Sequence, residues 1–478
     1  MPDARGDGYV DDIPYTHGYH AAMNPRVMQW TLAQAGYRPP EVRSACELGF
    51  GQGVSLAIHG SVGAVAWQGT DFNLDHARNA RALCEGCEPQ PRIYAESFAE
   101  YFARSDLPAF DFIALHAVWS WVSPENRARI VEFIRQRLRP GGALYLSYNC
   151  LPGWQPMLAL REQLVERAAA AQREGLPLAE AIRRAVVELE RLEPEHDVIL
   201  HSLKRRSVSY LAHEFFNRDW HPMHFAQVAA ELLPLGLTYL GQADYSDSYD
   251  QWRLNDAQQA MLADIEDPLL RETTRDIILD RRFRRDYWVR SEPATAISSP
   301  SRLELRLWVP SAIRSADTET PDAVTEWFRS LGAPGAIVHR SIETAVEHAA
   351  LGYALGRGWV ELVREQILAD TQRTPVSTIN RRILDRVHHD PEMSVLASHL
   401  TGSGVELGWW TLALLAAMRA GLSGEGVVDQ VMQQSDRLGL VLSRRGFALT
   451  PEEMRDELGL RYADLLARSD EWCAAFVI

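Results

Sequence analysis

The chain has 478 residues, 46% of them apolar and 24% charged. That composition excludes whole-chain disorder, a collagen repeat or a small disulfide scaffold, and leaves room for about three domains. Its 64 acidic residues outnumber 49 basic ones, for a net charge of −15, whereas a general nucleic-acid binder is more often basic.

In chain order, residues 1–12 read MPDARGDGYVDD, acidic and without the apolar core of a secretory signal. From residue 43 to 149 strand-like and helix-like segments alternate. Arg43 to Phe50 is a short apolar run ending in glycines, and Gln52 to His59 reads as the following helix. Ala64–Phe72 and Asn73–Cys84 repeat the pair, and Pro91–Ser97 is a third strand. Phe110–Ala117 is continuously apolar, as a parallel strand buried on both faces tends to be. Pro124–Leu138 is an amphipathic helix that opens on proline and is followed by Pro140-Gly141-Gly142, which are start and stop signals. Ala143–Asn149 is a fifth strand. This alternation implies βαβ units and a doubly wound parallel sheet.

Residues 155–205 are rich in Ala, Glu and Arg at helical spacing and read as a helical insertion or cap. A helix at 223–233 leads through Gly236 to a strand at 237–243; Asp267–Arg282 is helical, and Tyr287–Arg290 a final strand. Residues 292–303, rich in Ser, Pro and Ala, read as a linker. Residues 304–478 are mostly helical, with Ile379–Leu400 and Trp409–Ala420 as helices. The most apolar stretch, Leu407–Leu422, is interrupted by Arg419 and is too short to span a bilayer. A cytoplasmic protein with no membrane span is expected. Only one lysine is present, Lys204; coding bias explains this better than selection for phosphate forks.

No metal is expected. Five cysteines make no disulfide framework. Cys84 and Cys87 form a lone C-x-x-C without the further ligands that zinc needs. His213-Glu214 lacks the second histidine of H-E-x-x-H, because position 217 is Asn. His221 and His224 flank Pro222 and read as polar residues at a helix start. The basic run Arg281–Arg285 reads as a solvated helix end, with attraction of phosphate or an acidic substrate as the alternative.

The informative segment is Glu47-Leu-Gly-Phe-Gly-Gln-Gly53, between the first strand and the first helix. Glycines there permit a tight turn and close approach of backbone to a ligand. The spacing is G-x-G-x-G, with Val54 where the dinucleotide fingerprint has its third glycine. No Gly-Lys-Ser/Thr follows, which excludes a P-loop. Asp71 ends the second strand, 18 residues after Gly53, where a carboxylate can accept both hydroxyls of a ribose. Loop, Glu47 and Asp71 together fit an adenosine ligand without a pyrophosphate.

On these residues the chain resembles the class I S-adenosylmethionine-dependent methyltransferases. His116-Ala-Val-Trp-Ser-Trp-Val122, Ser147-Tyr-Asn-Cys-Leu-Pro-Gly-Trp154 and the Tyr9–His20 segment resemble the bacterial members that carry a methyltransferase regulatory domain. Residues 211–244 are similar to the start of that domain and Arg281–Arg285 to its end. The rickettsial outer-membrane-protein lysine methyltransferases, of the same wider group, are similar chiefly in architecture. The resemblance implies an α/β fold: a Rossmann-like doubly wound methyltransferase sheet with a helical insertion and a mostly helical C-terminal domain. It divides the chain into a cofactor-binding domain at 1–154, an insertion and regulatory segment at 155–292 that completes the sheet, and a helical region at 304–478.

The cofactor implied is S-adenosyl-L-methionine, with S-adenosyl-L-homocysteine as product. Tyr15, His20, Glu47, Gly49, Phe50, Gly51, Gly53, Asp71, Phe72, Ser97, Phe98 and His116 are implied to bind it, and His116, Trp119, Tyr148 and Asn149 to serve the reaction. Many members have Cys where this chain has Phe50 and Asn where it has Ser55; backbone contacts survive both changes. Aromatic walls from Tyr15, Tyr19, Phe72, Trp119, Trp121 and Tyr148 would exclude water and face the sulfonium. His116 reads either as a general base or as a histidine that shapes the pocket. Asn149 orients an acceptor or caps the strand end. A lysine acceptor in an apolar channel would need no dedicated base.

The acceptor is a nucleophilic N or O, on a protein side chain such as lysine or on a small molecule or glycan precursor; a nucleic acid is not expected. From another class, a cofactor-binding regulator without catalysis stays open, as does a homodimer. A nicotinamide oxidoreductase is disfavoured by the missing third glycine.

Overall fold

The computed structural model describes residues 8–10, 13, 15–192, 197–244, 249–290, 303–310, 322–332, 335–363, 373–444 and 447–478. The linker read at 292–303 lies outside these, apart from Leu303, which opens a strand. Strands β1 (Ser44–Leu48), β2 (Ala66–Thr70), β3 (Arg92–Tyr94), β4 (Phe110–Leu115), β5 (Leu138–Asn149), β6 (Leu237–Gln242) and β7 (Phe283–Arg290) form one sheet in the order β3-β2-β1-β4-β5-β7-β6. The first five pair in parallel, and β7 runs antiparallel between β5 and β6. The order reverses between β1 and β4, and ligands of open α/β sheets bind at the strand carboxyl ends beside such a point.

The helices that follow the strands begin where their caps dictate. Helix α1 (Pro25–Gln34) precedes the sheet, and α2 (Val54–Val62) follows the glycine loop. Helix α3 (Leu74–Cys84) starts at Asn73, whose side chain accepts the N–H groups of Asp75 and His76. Helix α4 (Phe98–Phe102) starts with a Ser97/Glu100 capping box, and α5 (Pro124–Arg137) with Ser123 as cap and proline at its first position. Each of the five expected strands is present. β5 begins earlier than expected and runs through Pro140-Gly141-Gly142. A Cβ on Gly142 would lie 2.9 Å from the Arg139 carbonyl and 3.0 Å from that of Asp111.

The insertion is helical as expected, at Met157–Arg173, Leu178–Leu192, Asp197–Lys204 and Val208–Phe215. Leu160, Leu164, Ile182, Val186 and Leu189 share a core there with Trp154 and Trp220. The C-terminal region is mostly helical, and it also contains a small antiparallel sheet of Leu303–Trp308, Ile337–Ile342 and Glu361–Leu362. Ile379–Leu400 is not one helix. The helix Arg373–Arg386 stops before Pro391, and Val395–Ser398 is a strand paired with Ser403–Glu406; proline lacks the N–H and clashes with the preceding turn. Val54, Ile58 and Val62 of α2 and Leu83 and Cys84 of α3 share one core with Ile379, Ile383, Leu412 and Leu458. The C-terminal region is therefore packed directly on the outer face of α2 and α3. Cys87 lies in the same core. Among the described residues no helix is long and apolar enough to cross a membrane.

The run Arg281–Arg285 is not a solvated helix end: Arg281 and Arg284 are buried, while Arg282 and Arg285 are exposed. The helix Pro268–Ile278 ends first, and Arg284 is a β7 residue with no exposure. Its guanidinium donates to Asp276 at 2.7 Å, Glu272 at 3.0 Å and Asp286 at 3.1 Å, and to the Tyr239 hydroxyl at 2.9 Å. Arg281 pairs with Asp276 at 2.8 Å. Asp286 on the same strand and two acids brought in by the preceding helix hold the charge; sequence spacing could not show the latter two.

Candidate functional site

A cavity of about 270 Å³ opens at the carboxyl ends of β1, β2 and β4. Of the residues expected to bind cofactor, Tyr15, His20, Glu47, Gly49, Phe50, Gly51, Asp71, Phe72, Ser97, Phe98 and His116 line it. Gly53 does not. It is the N-cap of α2 at φ +74°, and a Cβ there would lie 2.4 Å from that of Ala80 on α3. Gly53 lets the start of α2 press against α3, so it shapes the loop from behind. Gly53→Ala combines a left-handed backbone with overpacking, and is expected to cost about 2–4 kcal/mol. Chemical denaturation of the two proteins measures it; a loss below 0.5 kcal/mol, about the ordinary surface level, would remove that role.

The loop is held open by Asp71. One carboxylate oxygen accepts the Gly51 N–H at 2.8 Å; the other accepts the Asn73 N–H at 2.9 Å and lies 3.1 Å from His76 Nδ1. Glu47 at the end of β1 is 3% exposed, and among the described residues its Oε2 has no hydrogen-bond partner. Burial, helped by the Asp71 charge, pushes its pKa up to about 8. An unpartnered buried carboxyl oxygen costs free energy until a donor arrives.

The N-terminal segment roofs the cavity. Gln52 Nε2 donates to the Tyr15 carbonyl at 3.1 Å, and the His20 N–H donates to Ser55 Oγ at 2.8 Å. Ser55 therefore holds the roof. The Val10 N–H donates to Asn217 at 2.8 Å on the insertion side. On the other side His17 lies 2.9 Å from Asp390 and its N–H donates to Glu392 at 2.8 Å. Tyr19 faces the C-terminal region, not the cavity: its hydroxyl donates to Ser403 at 3.3 Å, accepts the Gly404 N–H at 2.9 Å and lies 3.0 Å from His59.

The residues expected to serve the reaction divide. The His116 ring stacks on His20 with centroids 3.5 Å apart and lies 2.8 Å from the Tyr145 hydroxyl. Burial, with His20 and Arg285 nearby, holds its pKa well below the ordinary value. The ring is neutral at pH 7 and a poor base, which favours the pocket-shaping reading. Trp119 is fully buried in the core beneath α5, away from the cavity lining, while Trp121, two residues on, lines it. Tyr148 turns to the opposite face of β5 and donates to Asp286 at 2.9 Å. Asn149 also lies outside the lining; its amide donates to Glu214 at 2.8 Å. His224 caps the helix Phe225–Leu232 as expected, and His221 lies 3.2 Å from Asp219.

Sequence reasoning missed Tyr9, His76, Glu96 and the start of α5 (Glu125, Asn126, Arg129) among the lining residues. His76 had a signal: it lies in the first turn of α3, five residues after Asp71. Ala117 is in the left-handed region at φ 52°, a conformation rare outside glycine and frequent at functional sites.

The fold is that of the Rossmann-like methyltransferase sheet, with an antiparallel seventh strand. Residues 207–290 match the family described as a predicted methyltransferase regulatory domain. An uncharacterised protein of Synechocystis is 29% identical over 466 residues, covering 90% of this chain and 91% of its own length. An uncharacterised protein of Rickettsia prowazekii is 25% identical over 290 residues, 57% of this chain and 51% of that one. Among solved structures, PKMT2 from Rickettsia typhi in complex with AdoHcy superposes with a TM-score of 0.67 at 16% identity, covering 97% of this chain and all of that one.

Proposed function

We propose that the protein is an S-adenosylmethionine-dependent methyltransferase acting on a nucleophilic nitrogen or oxygen, with a protein side chain such as lysine as the acceptor. The observation that carries this reading is the meeting of three features in one roofed cavity. They are the glycine loop, Asp71 with one oxygen on the loop, and the unpartnered buried oxygen of Glu47. The AdoHcy held by the similar PKMT2 fold supports it.

The residues present fit that group. The Asp71 oxygen that accepts only the Gly51 N–H has a further lone pair for a ribose hydroxyl. The ammonium of the amino-acid end would supply the donor that Glu47 lacks. Small side chains are required at the loop: a Cβ on Gly49 would lie 2.6 Å from Val118, and one on Gly51 3.0 Å from the Tyr15 ring. When bound, S-adenosylmethionine supplies an electrophilic methyl on a sulfonium. Tyr15, Phe72 and Trp121 exclude water from the cavity, and the fixed loop and roof supply the alignment on which an in-line displacement depends.

Glu47 makes binding pH-dependent. Its anion, the form that pairs with an ammonium, is the minority form below about pH 8. Affinity for S-adenosylhomocysteine should therefore fall as pH falls, by up to about tenfold per unit below 8. Glu47→Gln should flatten the profile; an unchanged slope would assign it to another group.

Transfer of labelled methyl from S-adenosylmethionine to host lysate, split into protein, lipid, glycan and small-molecule fractions, tests the function. Label in the protein fraction, recovered as methylated lysine after hydrolysis and absent with Asp71→Ala, is expected. Label confined to the small-molecule or glycan fraction would move the acceptor there. Label in no fraction would favour the regulator reading.

A further inference from the structure

Glu214 lies on the helix Val208–Phe215, within the regulatory domain, and is half-buried. Asn149, the last residue of β5, donates to it at 2.8 Å. Asn149 is itself fixed, since its N–H donates to Ser120 Oγ at 2.9 Å and its carbonyl accepts the Met223 N–H at 3.0 Å. The cavity wall is adjacent. His213 stacks on Tyr9 at 5.5 Å and meets the edge of Tyr15 at 5.0 Å; both tyrosines line the cavity, and both feel the Glu214 charge. Ala117, at the cavity end of β4, is tied to β5 through Ser147 Oγ at 2.8 Å. A carboxylate thus stands at the end of β5, next in sequence to the His213 ring that meets both cavity tyrosines. No arginine or lysine ion pair to it is present among the described residues.

We propose that Glu214, oriented by Asn149, is the acceptor-side carboxylate: it holds the ammonium of the incoming acceptor and takes its proton. This rests on the methyltransferase reading. The proton passes from the ammonium to a Glu214 oxygen. The nitrogen lone pair then forms the N–C bond while the methyl C–S bond breaks, its electron pair staying on sulfur. The thioether and a methylated ammonium remain, and Glu214 returns its proton to water.

Burial pushes the Glu214 pKa up to about 7, against the Asn149 hydrogen bond, which lowers it. That is a suitable basicity for a proton acceptor working near neutral pH. Its titratable and charged surroundings are Tyr9 and Tyr15 on the roof, Asp71 acting on the same two rings, and Tyr210 on its own helix, with Arg206 and Arg282 near Tyr210.

The test is a titration of the full-length protein, saturated with S-adenosylhomocysteine, with n-butylammonium and with n-butanol, read by tryptophan fluorescence. The ammonium should bind at least tenfold tighter than the alcohol at pH 8 and weaken as pH falls through about 7. Glu214→Gln should abolish that preference while changing S-adenosylhomocysteine affinity by less than twofold. Asn149→Ala should move the pH midpoint upward, because the donor that favours the anion is gone. Equal binding of amine and alcohol, or a preference retained in Glu214→Gln, would overturn the proposal. A wild-type protein that does not bind S-adenosylhomocysteine would overturn the methyltransferase reading as well, and is a distinct result.

Discussion

Asp71→Ala should weaken S-adenosylhomocysteine binding by at least about a hundredfold, or roughly 3 kcal/mol at 1.4 kcal/mol per tenfold. Two losses add. The ribose hydroxyls lose a charged acceptor, and hydrogen bonds to charged groups are worth about 1.5–3 kcal/mol each. The loop loses its brace as well, because Asp71 fixes the Gly51 and Asn73 N–H groups and His76. Asp71→Asn should fall between the two proteins. It keeps an acceptor oxygen but turns an N–H₂ towards either the Gly51 or the Asn73 N–H. Calorimetric titration measures both, with circular dichroism as the check on folding. A change below threefold for Asp71→Ala would remove Asp71 from the binding site.

Arg284→Ala should destabilise the sheet by about 3–5 kcal/mol, the usual cost of breaking a buried ion pair from one side. Arg284 is fully buried and pairs with Asp276, Asp286 and Glu272 at once. Removing it leaves Asp276 and Asp286, which no water reaches, without that partner, and Tyr148 loses the neighbour that keeps Asp286 an acceptor. Arg284→Lys should recover only part of the loss, because an ammonium cannot reproduce a fork that reaches three carboxylates. Urea unfolding measures it, with an expected midpoint shift of about 1 M or more. A shift below 0.3 M would mean that the network contributes little beyond packing.

Much of the cofactor half was legible in the sequence. The glycine loop, Glu47 and Asp71 sit at strand ends, and strand ends are set by local signals: apolar runs, asparagine and serine caps, proline at the first turn. The direction of side chains after β5 was also open to reading, though it was misjudged. Residues alternate across a strand, so Tyr145, Ser147 and Asn149 share the cavity face while Leu144, Leu146 and Tyr148 share the other. Tyr148 thus belonged with the core. Other features depended on partners distant in sequence. Arg284 looked like a surface cation because Asp276 and Glu272 come from a helix that folds back over β7. Glu214 was read only as part of an incomplete H-E-x-x-H, since its meaning comes from Asn149, 65 residues away. The strand at Val395–Ser398 was hidden inside a helical-looking run, and only its pairing with Ser403–Glu406 defines it.

Calorimetric titration of the purified protein with S-adenosylhomocysteine and, separately, NADH tests most directly whether the cavity is a site for S-adenosylmethionine. Micromolar, one-to-one binding of S-adenosylhomocysteine with no heat from NADH is the result predicted. Absence of S-adenosylhomocysteine binding at pH 8, where Glu47 is available as the anion, would contradict it, and so would preferential binding of NADH.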